Sequence, residues 1–155
     1  MMKKLMFKVG STPEGKAFEL AFVVLAILVC VYVALTYLRA PETIPTHFGP
    51  SGMPDAFGHK SKMLIFCAIV FIVSVCMMVG AYFPHSINLP GIDVPTERQE
   101  ALGMRMVRVL GLMMLLLTAA IAHDTLQGHI VMVFAVLILM LLTCPLFIFL
   151  MYRSK

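Results

Sequence analysis

Charge is what this sequence has least of. Only 13% of its 155 residues are Asp, Glu, Lys or Arg, and 61% are apolar; soluble domains carry about 25% charged residues. A water-soluble globule of this length has too little interior for that much apolar surface, so a soluble enzyme is excluded. A disordered chain, which needs low hydrophobicity and high charge, is excluded too. The sequence also has no C-x-x-C: Cys30, Cys67, Cys76 and Cys144 stand singly inside apolar blocks, where they read as small hydrophobes. No phosphate-binding loop, no G-x-S-x-G elbow, no H-E-x-x-H and no Ser-His-Asp set occurs at usable spacing. There is no internal repeat and no pair of broken helices of the transporter kind. The formal net charge is +4, yet the bases cluster between apolar blocks and form no stripe, so nucleic acid is not an expected partner.

What the chain does have is four long apolar blocks, at residues 17–38, 63–83, 106–122 and 130–152. A hydrocarbon core of about 30 Å takes roughly 20 helical residues to cross. The expected fold is therefore all-α: one integral membrane domain over residues 1–155, with four transmembrane helices and the bilayer as its solvent. The first block is too long for a signal-peptide core and no small-x-small site follows it.

Helix-end signals refine the blocks. Ser11-Thr12-Pro13-Glu14 predicts a start near residue 12, ahead of the lipid. Thr96-Glu97-Arg98-Gln99 is a capping box that starts the third helix near Glu97. That helix then overshoots the bilayer core, and Arg105 and Arg108 are expected to snorkel toward headgroups. Pro145 should kink the fourth helix, freeing the Leu141 carbonyl for Thr143 or a neighbouring helix.

Basic residues set the expected orientation. Lys3, Lys4, Lys8, Lys16, Arg98, Arg105, Arg108, Arg153 and Lys155 fall on one side of the four blocks; Arg39, Lys60 and Lys62 fall on the other. Both termini are thus expected in the cytoplasm of a cell (inner or plasma) membrane. The loop 39–62 and the turn 123–129 then face outward, carrying His47, His59, His123, His129, Asp55 and Asp124. His85 falls inside.

The outer loop is dense in proline and glycine, which forbids a regular helix. Ile44, Phe48, Met53 and Phe57 should anchor it to the rim of the bundle, with an extended piece over 44–48 and a turn at Met53-Pro54-Asp55. Asp55 is expected to bind its own turn or Lys60. The run Pro41, Ile44-Pro45, His47-Phe48, Gly52, Pro54-Asp55, Gly58, Lys60 resembles the signature of a bacterial and archaeal membrane-domain family of unknown function. That domain also forms the N-terminal part of SdpI-like proteins, which confer immunity to a secreted peptide toxin. The stretch 83–90, with Thr96 and Gln99, is similar to the family's second, cytoplasmic motif. His59 replaces a residue that is more often small and polar, and the chain resembles a short, four-span form.

The resemblance implies a binding motif of Pro45, His47, Phe48, Gly52, Pro54, Asp55, Gly58 and Lys60. The expected function is non-enzymatic: recognition of a peptide, a lipid or a partner membrane protein by the outer loop, in an immunity or signalling context. An alternative is a zinc or other divalent-metal site, structural or catalytic, built from His47, Asp55, His59, His123, Asp124 and His129. A third is an accessory subunit without a site of its own.

Overall fold

The computed structural model describes residues 12–83 and 95–154. Residues 84–90 of the expected second motif, His85 among them, lie outside the described residues, as do Lys3, Lys4, Lys8 and Lys155 of the charge count.

The first helix, α1 (Pro13–Arg39), opens as its sequence predicts. The Thr12 hydroxyl accepts the Gly15 N–H at 3.0 Å, and Pro13 takes the first turn, where its missing donor costs nothing. Two short strands follow, β1 (Thr43–Phe48) and β2 (Pro54–His59), paired antiparallel as a hairpin. Then come α2 (Ser61–Gly80), α3 (Glu97–Gln127) and α4 (Val131–Arg153). The α3 capping box is complete: Thr96 Oγ1 accepts from Gln99 N, and Gln99 Oε1 accepts from Thr96 N. All four helices are long and apolar enough to cross a bilayer.

The helices are not equivalent. α3 packs against all three others, and 44% of its most apolar window is buried, against 22% for α2, 11% for α1 and 6% for α4. Between lipid-bathed helices there is little hydrophobic drive, so close approach and interhelical polar contacts hold the bundle. Ser74 Oγ donates to the Gly111 carbonyl at 2.8 Å, where α2 and α3 lie side by side. Gly80, by contrast, approaches nothing. Gln99 Nε2 donates to the Met151 carbonyl at 3.1 Å, tying the start of α3 to the end of α4. Phe22, Val29, Val33, Met63, Cys67, Met78, Leu115 and Ala122 form the apolar core.

Several details depart from the sequence expectations. α2 ends at Gly80, and residues 81–83 continue as tight turns in place of the last residues of the second block. α3 runs five residues past the expected end of the third block, so His123 and Asp124 sit in its last turn and the connection to α4 shrinks to three residues. Arg105 and Arg108 both meet side chains of α1. Arg105 pairs with Glu14 of α1 through two bonds, Nε to Oε1 at 2.5 Å and Nη2 to Oε2 at 2.6 Å. Arg108 is buried, with its guanidinium 5.8 Å from the Phe18 ring centroid. A carboxylate across the helix pair competes with headgroups for Arg105 and holds it in a fixed fork. α4 continues as one helix through Pro145, and the Thr143 hydroxyl donates to the Leu139 carbonyl at 2.8 Å, not to Leu141. This i−4 back-bond is the nearest acceptor for a threonine inside a helix.

At about 46 Å of helical rise, α3 is longer than the hydrocarbon slab. One end carries the Glu14–Arg105 clasp. The other meets the hairpin.

Candidate functional site

The hairpin is built from the loop's proline and glycine residues. Its turn falls at 49–52, four residues before the expected Met53-Pro54-Asp55: Gly49 N–H donates to the Met53 carbonyl and Gly52 N–H to the Gly49 carbonyl, each at 2.9 Å. Gly52 has φ +77°, a conformation that disfavours any side chain, which is why the reversal settles there. Pro54 then opens β2, where a residue without an N–H is tolerated.

The ladder is irregular. Thr43 faces His59, Ile44 faces Gly58 and Pro45 faces Phe57, but the next pairs are His47 with Ala56 and Phe48 with Pro54, so Thr46 and Asp55 have no partner. Neighbouring positions in a regular ladder point to opposite faces; a bulge removes that bar. His47 Nδ1 and Asp55 Oδ1 meet at 2.5 Å, both half exposed or more. Gly49 makes room, since a Cβ there would stand 3.1 Å from Asp55 Oδ2. His47 and Asp55 thus bind each other, whereas the sequence sends Asp55 to its own turn or to Lys60.

Lys60 goes elsewhere. Its Nζ lies 2.9 Å from Glu42 Oε1 and 5.1 Å from the Tyr37 ring centroid, at the end of α1. His59 Nε2 reaches the other Glu42 oxygen at 3.1 Å. The Lys60 ammonium, donating to Glu42, holds that carboxyl below its ordinary value of 4.5. A strap of three side chains thus closes the hairpin's base. Ile44, 1% exposed, plugs the hairpin into the bundle. Of the other expected anchors Phe48 is partly buried, but Met53 and Phe57 are 67% and 61% exposed.

Below the hairpin, at the α3–α4 turn, Gly128 (φ +72°) ends α3. Asp124 precedes it, only 1% exposed. Its Oδ2 accepts the Val133 N–H at 2.9 Å, capping α4 from the preceding helix. A carboxylate disfavoured by the C-terminus of its own helix is thereby placed at the N-terminus of the next, where it is stabilised. Asp124 Oδ1 faces His129 Nδ1 at 3.4 Å, and among the described residues neither buried atom has a hydrogen-bond partner. Tyr32 Oη and His123 Nδ1 are 2.9 Å apart, joining α1 to the end of α3, and the His123 and His129 rings lie 6.2 Å apart. Between hairpin, α2 and this turn is a cavity of about 260 Å³, lined by Ile44, Phe48, Met63, Phe66, Ile130 and Asp124 among others.

The six candidate metal ligands therefore fall into three places: His47 with Asp55, His59 at the hairpin base, and His123, Asp124 and His129 at the turn. Among the described residues, no three His, Cys, Asp or Glu side chains converge as a ligand set. Of the binding motif, Pro45 and Phe48 line the cavity, Gly52 and Pro54 shape the turn, and His47 pairs with Asp55. Gly58 leaves space for the Lys62 chain that crosses it, and Lys60 straps the base. Sequence reasoning missed Glu42, Tyr32 and Lys62. A lone acid among loop prolines and a hydroxyl within an apolar span were the available signals.

These features define a multi-pass membrane protein with a β-hairpin seated at one end of its bundle. Residues 24–73 match the domain of unknown function DUF1648. The matched segment is the hairpin with the parts of α1 and α2 that converge on it. An uncharacterized protein of the archaeon Archaeoglobus fulgidus is 32% identical over 163 aligned residues, covering 92% of this chain and 89% of the relative. The chain belongs to the same family as that archaeal protein. No solved structure matches it.

Proposed function

We propose that the protein is a non-enzymatic receptor of the cell membrane, with both termini in the cytoplasm and the hairpin outside, and that the hairpin recognises an extracytoplasmic peptide or a partner protein's extended segment. The carrying observation is the exposure of Met53 and Phe57 on a hairpin otherwise fixed by Ile44 and the Glu42 strap. A large apolar side chain on a rigid, solvent-facing element is the usual anchor of a binding surface. A two-stranded hairpin also leaves an outer edge on each strand, and main-chain groups there accept an added strand. The excess of Lys and Arg on the side opposite the hairpin supports the orientation. The resemblance of the loop to SdpI-like proteins supports a peptide toxin as the ligand class.

The test is photo-crosslinking from position 57 in intact cells producing the full chain. A discrete adduct with a secreted peptide or a membrane partner, lost in Met53→Asp, supports the reading. Crosslinks to lipid alone would contradict it. Protection of producing cells against a peptide toxin, lost with the same variant, would sharpen the ligand to that class.

A further inference from the structure

The two strands of the hairpin differ in what surrounds them. β1 packs on α3 and lines the cavity, while β2 is exposed along most of its length. The main chain of β2 has a defined phase. Lys60 N–H donates inward, to the Glu42 carbonyl on the β1 side. In an antiparallel ladder the backbone groups of successive residues turn to opposite edges. Gly58 therefore also faces β1, and Phe57 and His59 turn their N–H and C=O groups to the outer edge. Pro45 fits the same phase: it stands opposite Phe57, where its missing N–H takes no bond from the ladder. Asp55 is the residue of β2 that the ladder skips. Edge groups without a neighbouring strand are a template for one.

The side chains along that edge are self-complementary. Residues 55–59 read Asp-Ala-Phe-Gly-His: an acid, a small residue, an aromatic, a small residue and a base. Asp55, Phe57 and His59 stand at every second position, and each is at least half exposed. Turned antiparallel on itself about Phe57, the strand sets Phe57 against Phe57, Ala56 against Gly58, and Asp55 against His59 on both sides. An acid opposite a base, and one aromatic opposite another, are favourable across a seam. The in-phase registers shifted by two residues lose this match, because they set Phe57 against Asp55 or His59.

We infer that two copies of the chain form a two-fold dimer in which their β2 strands join the hairpins into one four-stranded antiparallel sheet, centred on Phe57. The two-fold axis of such a seam is normal to the sheet. One face of the hairpin rests on the bundle through Ile44, and the other turns Phe57 to solvent. The axis therefore runs along the bundle, and both copies keep one orientation in one bilayer. Asp55 keeps His47 and still has its second oxygen for the facing imidazole, since a carboxylate accepts several donors. The pairing belongs to the chain without ligand, so it goes beyond the receptor reading and does not rest on it.

The experiment is cysteine crosslinking of the full chain in membranes under a mild oxidant, with the four native cysteines replaced by alanine. Facing residues of a hydrogen-bonded pair lie about 5.5 Å apart at Cα, within disulfide reach. Phe57→Cys should therefore crosslink to its own copy. Asp55→Cys and His59→Cys, each about 14 Å from the same position of the second copy, should not do so alone. Produced together, those two variants should crosslink to each other, and Phe57 stays intact in both. With native residues at 55–59, association is read by single-molecule photobleaching in vesicles. Phe57→Lys sets like charges on the axis and should weaken association about tenfold. Asp55→His alone should weaken it too, and Asp55→His with His59→Asp, which exchanges acid and base within each copy, should restore it. A monomer at every protein-to-lipid ratio would overturn the proposal, and so would crosslinking at position 55 or 59 alone with none between them.

Discussion

The two ends of α3 treat their charges in opposite ways. At one end Arg105 and Glu14 satisfy each other through a two-bond fork, part exposed to solvent. At the other, Asp124 is buried, caps the next helix with one oxygen and sets the second against His129 Nδ1 at 3.4 Å. The first arrangement is complete and asks for nothing more, as a structural clasp does. The second is looser: Asp124 Oδ1 and His129 Nδ1 face each other at 3.4 Å, too far apart for a good hydrogen bond. Length permits the contrast: α3 is longer than a hydrocarbon core is thick, and its two ends meet different neighbours.

Substitutions can break this comparison, and their expected effects are graded. Asp124→Ala removes the α4 cap and leaves the buried Val133 N–H without an acceptor, a loss of about 2 kcal/mol. Thermal unfolding in detergent should show it, with Asp124→Asn falling well short of it. Gly52→Ala forces a side chain into the left-handed region at a cost of about 1 kcal/mol. That loss should be confined to the hairpin and read as faster amide exchange over 43–59, with the helices unchanged. Arg105→Ala removes a half-exposed pair and should cost less than about 1 kcal/mol, shrinking further in high salt. A larger penalty for Arg105→Ala than for Asp124→Ala would reverse the ranking of the two ends. The smallest effect is expected at the hairpin base. Glu42 has its pKa lowered from 4.5 by Lys60, so the strap's contribution is present above that value. It is lost as pH falls through the lower folded value. Exchange at Lys60 N–H, which donates to the Glu42 carbonyl, should rise there in the parent chain and show no such step in Glu42→Gln.

Much of the fold was legible because the bilayer demands it. Four apolar blocks, the Thr12 start and the Thr96 capping box announce themselves through length and side-chain chemistry. The extended reading of 44–48 also held, as β1. The return strand did not announce itself, because Pro54, Asp55 and Gly58 are poor strand formers and pairing with β1 overrides their local preference. The end of α3 was misplaced for a related reason. His123 and Asp124 look like loop residues, but a carboxylate that caps α4 compensates for prolonging α3. The candidate site was legible only as a list of residue types on one side of the membrane. Which of them meet depends on a bulge at Asp55 and a turn at Gly52, neither of which has a strong signature. Arg105 shows the same limit: its charge predicts a polar partner, not that Glu14, 91 residues away, is the one.

The most direct test of the account is the sidedness of the hairpin. Met53→Cys, in a chain whose four native cysteines are replaced by alanine, offers one thiol at an exposed position near the tip. A membrane-impermeant maleimide added to intact cells should label it fully, and should leave a cysteine placed at position 154 unlabelled until the cells are opened. Labelling of position 154 in intact cells, with position 53 protected, would contradict the account.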